Sequence, residues 1–416
     1  MYCMTEQSTG NPIVIIGGGL TGGNAAATLR DEGYPGPVVL IGAEPGFPFG
    51  RPPLSKTYLR SEEDLDGWYV RPEGWYADHE VECRHGAAVA AVDPAAHTVT
   101  LDSGEELGYG KVLIATGGRN WRLTIPGADL PGLHYLRTKA ECDAIKQEAR
   151  PGRHAVVVGS GFIGCEVAAS LTQLGVRVTV LFPGQVPLER VLGGQVGALI
   201  AAFHQANGVD LRPGEQVSAF EGAERLEAVV TASGHRIACD FAVAGVGITP
   251  SFPSAAVAQQ NGILTDELGR TSAPDVYAAG DVANQLHPLF GRVRVEHYNN
   301  AEKQGAAVAR SMLGSTAPYD YLYTFWSDQY EHKIEYVGHV TTWDEFVVRG
   351  SVDEAKLIGF YLVGGVVRAV VGLDRGGDPE LDLDGEMAAC ARLVSQQARL
   401  APAVLADDRT DLWSLA

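Results

Sequence analysis

Ile13-Val14-Ile15-Ile16-Gly17-Gly18-Gly19-Leu20-Thr21-Gly22 reads as a short apolar strand turning through glycines into a helix. Four successive apolar residues suit a strand covered on both faces, as in a parallel sheet. Gly17, Gly19 and Gly22 have the G-x-G-x-x-G spacing. The first glycine makes the tight turn, the second lets a pyrophosphate approach the backbone, and the third brings helix and strand close. A helix-like segment, Asn24–Arg30, and a second apolar run, Val38–Ile41, complete a β-turn-helix-β unit. Glu44 follows, placed to accept hydrogen bonds from a ribose.

The unit returns further along the chain. Ala155–Val158 leads into Gly159, Gly161 and Gly164, then a helix-like Cys165–Leu174 and a strand Val176–Leu181. The second copy lacks the carboxylate, because Phe182 stands where it is expected. No Arg or Lys lies between Phe182 and Glu189 to clamp a 2′-phosphate, although Arg190 follows. That favours NADH slightly and leaves NADPH open. Two dinucleotide units in one chain point to one tightly held flavin and one exchangeable nicotinamide.

Three further runs, Lys111–Gly118, Val243–Pro250 and Asp275–Asp281, end in small residues, as strands that meet a ligand at their carboxyl ends do. After about residue 320 the pattern turns to alternating or aromatic strands and a helix over Glu386–Leu400. The expected organisation is a discontinuous FAD-binding domain at 11–123 and 251–320, with an NAD(P)-binding domain at 124–250 inserted. A C-terminal α+β domain at 321–405 and a tail at 406–416 follow.

Composition narrows the function. Among 416 residues, 32 Lys and Arg oppose 51 Asp and Glu, a net charge of −19. A nucleic-acid binder needs a basic footprint, so that class is excluded. The run Ile358–Leu373 is interrupted by Arg368 and glycines and is too short to span a membrane. No basic segment followed by an apolar stretch opens the chain, so no signal peptide is expected. Six scattered cysteines, Cys3, Cys83, Cys142, Cys165, Cys239 and Cys390, form no C-x-x-C pair and read as reduced thiols of a cytoplasmic protein. They provide neither a flavin-side C-x4-C disulfide nor an iron–sulfur cluster, and His79, Cys83 and His85 lack a fourth ligand, so no metal site is expected. The 51 glycines, about 12% against an ordinary ~7%, serve turns and close backbone approaches.

Arg51-Pro52-Pro53-Leu54-Ser55-Lys56, Ala115-Thr116-Gly117-Gly118, Ala279-Gly280-Asp281 and Phe325-Trp326-Ser327-Asp328-Gln329 together resemble the FAD-dependent NAD(P)H reductases that serve ferredoxins and rubredoxins. The resemblance covers residues from about 12 to 400, in order. It implies an α/β protein with two Rossmann-like domains in a glutathione-reductase-like flavoprotein fold, plus a C-terminal α+β domain. It also implies hydride transfer from NAD(P)H to FAD, then single-electron transfer to a ferredoxin that supplies a P450 or other oxygenase. Neither nucleic acid nor membrane is an expected partner, and the oligomer is a monomer or homodimer.

Carried over residue by residue, the resemblance assigns Gly17, Gly19, Gly22 and Glu44 to FAD. Arg51, Val89, Thr116, Gly117, Arg137, Gly280, Asp281, Val295 and Glu296 fall at further cofactor contacts. Gly159, Gly161, Gly164 and Gly247 belong to the nicotinamide dinucleotide. Lys56 matches a lysine beside the flavin ring, Glu166 its carboxylate partner, and Trp326 an aromatic near flavin and nicotinamide. Physical chemistry agrees: hydride arriving at a flavin leaves negative charge that a fixed ammonium stabilises, and a buried lysine needs a partner.

Phe182-Pro183 and Val295–Asn300 are more similar to the apoptosis-inducing-factor branch of the same superfamily. That keeps two alternatives open: an NADH oxidase or quinone reductase, and an NADH-sensing flavoprotein interaction module. Arg292, Arg294, Lys303 and Arg310 cluster in sequence and are expected to offer a basic patch to an acidic ferredoxin.

Overall fold

The structure is a computed structural model and describes residues 10–416. Cys3 lies outside the described residues. The chain forms two compact units. The first comprises the described residues up to Arg51 with Leu65–Arg119 and Thr249–Tyr321. The second comprises Pro52–Asp64, Asn120–Ile248 and Leu322–Ala416.

In the first unit, Ile13–Ile16 lies centrally in a five-stranded parallel sheet. The strand order is Val276–Ala278, Lys111–Ile114, Ile13–Ile16, Val38–Gly42, Val81–His85. Ile13 and Ile15 face a core built on Ala25, Ala26, Leu29 and Met312, while Val14 and Ile16 face another built on Val92, Val99 and Leu101. Both faces are covered, so the strand cannot alternate polar and apolar residues. The helix Leu20–Asp31 carries Ala25, Ala26 and Ala27 and packs along Tyr298–Met312. A Cβ on Gly305 would collide with the Thr21 carbonyl, so glycine sets the separation of the two helices.

The second unit repeats this plan. Its parallel sheet runs Asp210–Pro213, Arg177–Phe182, His154–Val158, Phe241–Ala244, Leu133–Tyr135. In both sheets the chain order reverses beside the strand that enters the glycine turn, and such a reversal opens a ligand crevice at the carboxyl ends. A second, antiparallel sheet holds Thr324–Gln329, His332–Gly338, Val366–Leu373, Lys356–Val363 and Glu345–Ser351. The apolar run Ile358–Leu373 is thus a hairpin turning at Gly364 and Gly365, not one long element. No helix among the described residues is long and apolar enough to cross a membrane.

The grouping differs from the expected three domains. Cys165, Leu188, Leu192, Val196, Ile200 and Phe203 share one core with Phe325, Ile334, Tyr336, Leu357 and Tyr361. Each fully buried side chain of this kind contributes about 1.5–3 kcal/mol, so the inserted and C-terminal segments cohere as one unit. Pro52–Asp64, expected with the FAD-binding part, belongs to that unit as well. The helix expected over Glu386–Leu400 ends at Ser395, where Gln397 adopts a left-handed conformation with φ 52°. The tail is tied down by Arg349, which donates to the carbonyls of Asp407, Asp408 and Thr410.

Candidate functional site

The glycine turn of the first unit has a geometry that only glycine permits. Gly17 has φ +126°, and a Cβ there would strike the Ala115 carbonyl. A Cβ on Gly22 would strike the carbonyl of Gly17. Gly19 differs: a Cβ there would meet no atom within 4 Å, so the space beside it is open. The helix that follows has no side-chain cap and no acidic residue in its first turn. Its leading N–H groups are therefore available to an anion. The Thr116 hydroxyl, at the end of the adjacent strand, is buried without a hydrogen-bond partner among the described residues. An FAD pyrophosphate fits this cradle.

Other first-unit candidates surround the same strand ends or support them. Glu44 lies two residues beyond Val38–Gly42 and accepts a 2.5 Å bond from Arg51. Gly117 has φ +65°, and its carbonyl accepts the Ser251 N–H. Gly280, at φ +76°, packs on Thr21 and donates to Gln304 Oε1 at 2.7 Å. Asp281 is buried. Val295 is buried, with its carbonyl bonded to Asn300, and Glu296 pairs with Arg294 at 2.5 Å. Val89 is half-buried on Val89–Asp93, opposite Leu101.

The second unit's turn repeats the plan of the first. Gly159, at φ +104°, abuts the Gly245 carbonyl, Gly164 abuts the Gly159 carbonyl, and the space beside Gly161 is open. The helix Phe162–Gln173 likewise begins with neither cap nor acid. Gly247 is exposed at φ +99°, and its carbonyl accepts Trp121 N–H. A second dinucleotide fits here. Arg137 precedes the helix Lys139–Glu148, and its backbone N–H is held by Glu141 at 2.8 Å within the Thr138 capping box.

Also in the second unit, Lys56 and Glu166 come together. Lys56 follows the short 3-10 turn Pro52–Ser55, and Glu166 lies on Phe162–Gln173. Lys56 Nζ is 2.8 Å from Glu166 Oε2, with the side chains 12% and 4% exposed. Ser55 donates to Oε2 at 2.5 Å and Ser327 to Oε1 at 2.7 Å. Three donors thus hold one carboxylate, which in turn holds one ammonium. Beyond Ser327 a buried polar chain continues: Gln329 Nε2 to Ser327 Oγ, Gln329 Oε1 to His204 Nε2 at 3.1 Å, and His204 Nδ1 to the Tyr330 hydroxyl at 3.0 Å. Burial pushes the His204 imidazole down to about 4. Trp326 is half-buried on the opposite face of the strand from Ser327.

Sequence reasoning missed Ser55, Ser327, Gln329 and His204. The first three sit inside the motifs quoted for Lys56 and Trp326, and alternation along Thr324–Gln329 was a usable signal. His204, one polar residue on an apolar helix, gave none.

Of the expected basic patch, Arg292, Lys303 and Arg310 are exposed and Arg294 is half-buried. Arg292 donates to the carbonyls of Thr265 and Asn284, and Arg294 to Asn261, the Asp281 carbonyl and Glu296. Arg310 pairs with Glu32 at 2.7 Å. Arg292 and Arg294 thus brace their own unit, whereas Arg310 makes only an exposed pair that contributes little. His79 stacks on Trp75 and His85 packs against Phe47, so both rings serve as packing.

Comparison with known proteins gives a consistent picture. Residues 11–305 match the family described as pyridine nucleotide-disulphide oxidoreductase, and residues 324–416 match the reductase C-terminal family. The chain is 36% identical to rhodocoxin reductase of Rhodococcus erythropolis over 407 residues, covering 96% of this chain and 93% of that protein. It is 34% identical to the ferredoxin–NAD(+) reductase component of the biphenyl dioxygenase system of Paraburkholderia xenovorans, covering 97% and 98%. The reductase in the crystal structure of the covalent putidaredoxin reductase–putidaredoxin complex superposes with a TM-score of 0.90 at 31% identity, covering 98% of each chain.

Proposed function

Because the chain belongs to the pyridine nucleotide-disulphide oxidoreductase family and carries the reductase C-terminal domain, we infer that it is an FAD-dependent NAD(P)H:ferredoxin reductase. Its electrons pass to a small iron–sulfur ferredoxin that serves a P450 or other oxygenase. The observation that carries this reading is the presence of two dinucleotide cradles in one chain, each with an uncapped helix and an open second glycine. Bound FAD would supply the conversion of a two-electron hydride into single electrons. No C-x4-C pair is present, so electrons do not leave through a protein disulfide.

The protein's own residues bind, orient and hold charge. Gly17, Gly19, Gly22, Thr116, Gly280 and Asp281 would hold the FAD phosphates and ribityl chain, and Glu44 its adenosine ribose. Gly159, Gly161 and Gly164 would hold the pyrophosphate of the nicotinamide dinucleotide. The resemblance puts Lys56 beside the flavin ring, where its ammonium would offset the charge that reduction adds, and Glu166 with Ser55 and Ser327 holds the side chain in place. Such a preorganised charge costs no rearrangement at the moment of transfer. Trp326 would stack beside the rings. The described cysteines are all free thiols, which suits work in the reducing cytoplasm.

A steady-state assay tests the reading. NADH consumption by the FAD-loaded protein should rise with the concentration of a [2Fe–2S] ferredoxin and saturate. Consumption independent of ferredoxin would overturn it.

A further inference from the structure

The geometry points to Glu189 as the carboxylate that selects NADH over NADPH, supplied to the second fold from outside its usual place. The inference rests on the reading of Gly159–Gly164 as the nicotinamide dinucleotide turn. The two βαβ units can be aligned by one shared bond. Gly17 N–H donates to the Ile41 carbonyl at 2.8 Å, and Gly159 N–H to the Leu181 carbonyl at 2.8 Å. Counting onward from that bond, Glu44 corresponds to Gly184, which has no side chain, and not to Phe182 as the sequence alone suggests.

The missing carboxylate is nevertheless there. Glu189 Oε2 lies 2.9 Å from where a Cβ on Gly184 would stand. It occupies the space into which a residue-184 side chain would grow, and it accepts the Gln185 N–H at 2.9 Å. The loop is held in this shape. Leu188, at φ 56°, donates its N–H to the Ser160 carbonyl inside the glycine turn at 3.0 Å. Val186 and Pro187 press against Gly197, where a Cβ would not fit. The first residue of Glu189–Ala206 is thereby turned back to the strand end.

Charge decides what such a carboxylate admits. Glu189 is half-buried and makes no ion pair among the described residues, so its charge is not already neutralised. A ribose 2′-hydroxyl donates to it, whereas a 2′-phosphate meets like charge. Glu215 follows the neighbouring strand, its N–H on the Phe182 carbonyl, and adds to the negative potential. Arg212 on the strand Asp210–Pro213 is paired with Asp210, the His235 ring bonds to Glu215, and Arg190 is exposed and makes no ion pair among the described residues. Arg190 is the rival, since it alone would clamp a phosphate.

Calorimetric titration of the FAD-loaded protein with NAD+ and NADP+ separates the two. The wild type should bind NAD+ at least about tenfold more tightly, the effect of one charged hydrogen bond. Glu189→Gln keeps an oxygen for Gln185 N–H and so keeps the loop, but should cut that preference severalfold. Glu189→Arg should abolish or invert it, while Arg190→Ala should leave it in place. An unchanged NAD+/NADP+ ratio in both Glu189 variants overturns the role of Glu189 alone. A wild-type preference for NADP+ that Arg190→Ala removes overturns it in favour of the rival. Failure of the wild type to bind either dinucleotide overturns the underlying reading, and this inference with it.

Discussion

At the scale of single residues the account turns on one ion pair. Lys56 and Glu166 are nearly shielded from water, and neither charge tolerates the loss of the other. Lys56→Met should lower stability by about 3–5 kcal/mol, because it leaves a buried carboxylate with only Ser55 and Ser327 as donors. The double variant Lys56→Met/Glu166→Gln should recover most of that loss in urea denaturation. Flavin reduction by NADH should stay slow in both, by about 10²-fold, because the ammonium is gone. Equal stability of the single and double variants would show that the pair is solvated rather than buried.

At the scale of elements, the two glycine turns separate binding from folding. Gly161 faces open space, so Gly161→Ala should fold normally and lose NADH affinity in a titration. Gly164 touches the Gly159 carbonyl, so Gly164→Ala should lower the melting temperature, at a cost of about 1–3 kcal/mol. The helix Glu189–Ala206 carries a pH dependence through His204. The folded protein keeps this imidazole neutral down to about 4, whereas an unfolded chain protonates it near 6.5. Between those values only the unfolded state binds the proton. His204 therefore makes stability fall as the pH drops from 6.5 towards 4, by up to about 1.4 kcal/mol per pH unit, and contributes nothing above 6.5. His204→Gln should flatten this part of the profile in denaturant titrations at pH 7 and pH 5; an undiminished slope would rule the residue out.

These elements also show what the sequence can convey. The parallel strands were legible because burial on both faces leaves an all-apolar signature, and the turns because G-x-G-x-x-G has a single steric meaning. Lys56 and Glu166 were legible only through family resemblance, since their partnership links residues far apart in the chain. Other features left no local trace. Gly193 kinks Glu189–Ala206 at φ +79°, making room for Trp343, and the carbonyl of Leu192 is taken by the Tyr361 hydroxyl at 3.0 Å. For the basic cluster, sequence proximity says nothing about partners: Arg292 Nη1 donates to two carbonyls while the residue stays exposed. Glu189 was passed over because its position in the chain is not its position in the fold.

For the whole molecule, the net charge of −19 and the two cradles fit a carrier of electrons between small molecules and a protein partner. Arg292, Lys303 and Arg310 are exposed, so overall acidity does not forbid an acidic ferredoxin, since docking depends on local potential. The central claim is that electrons enter from a nicotinamide and leave to a ferredoxin. Anaerobic sequential mixing tests it most directly, first with NADH and then with oxidised [2Fe–2S] ferredoxin, against a parallel arm of air-saturated buffer. The account predicts that NADH bleaches the flavin absorbance and that the absorbance returns in step with ferredoxin reduction, faster than with oxygen. A return as fast with oxygen as with ferredoxin, or no bleaching at all, would contradict it.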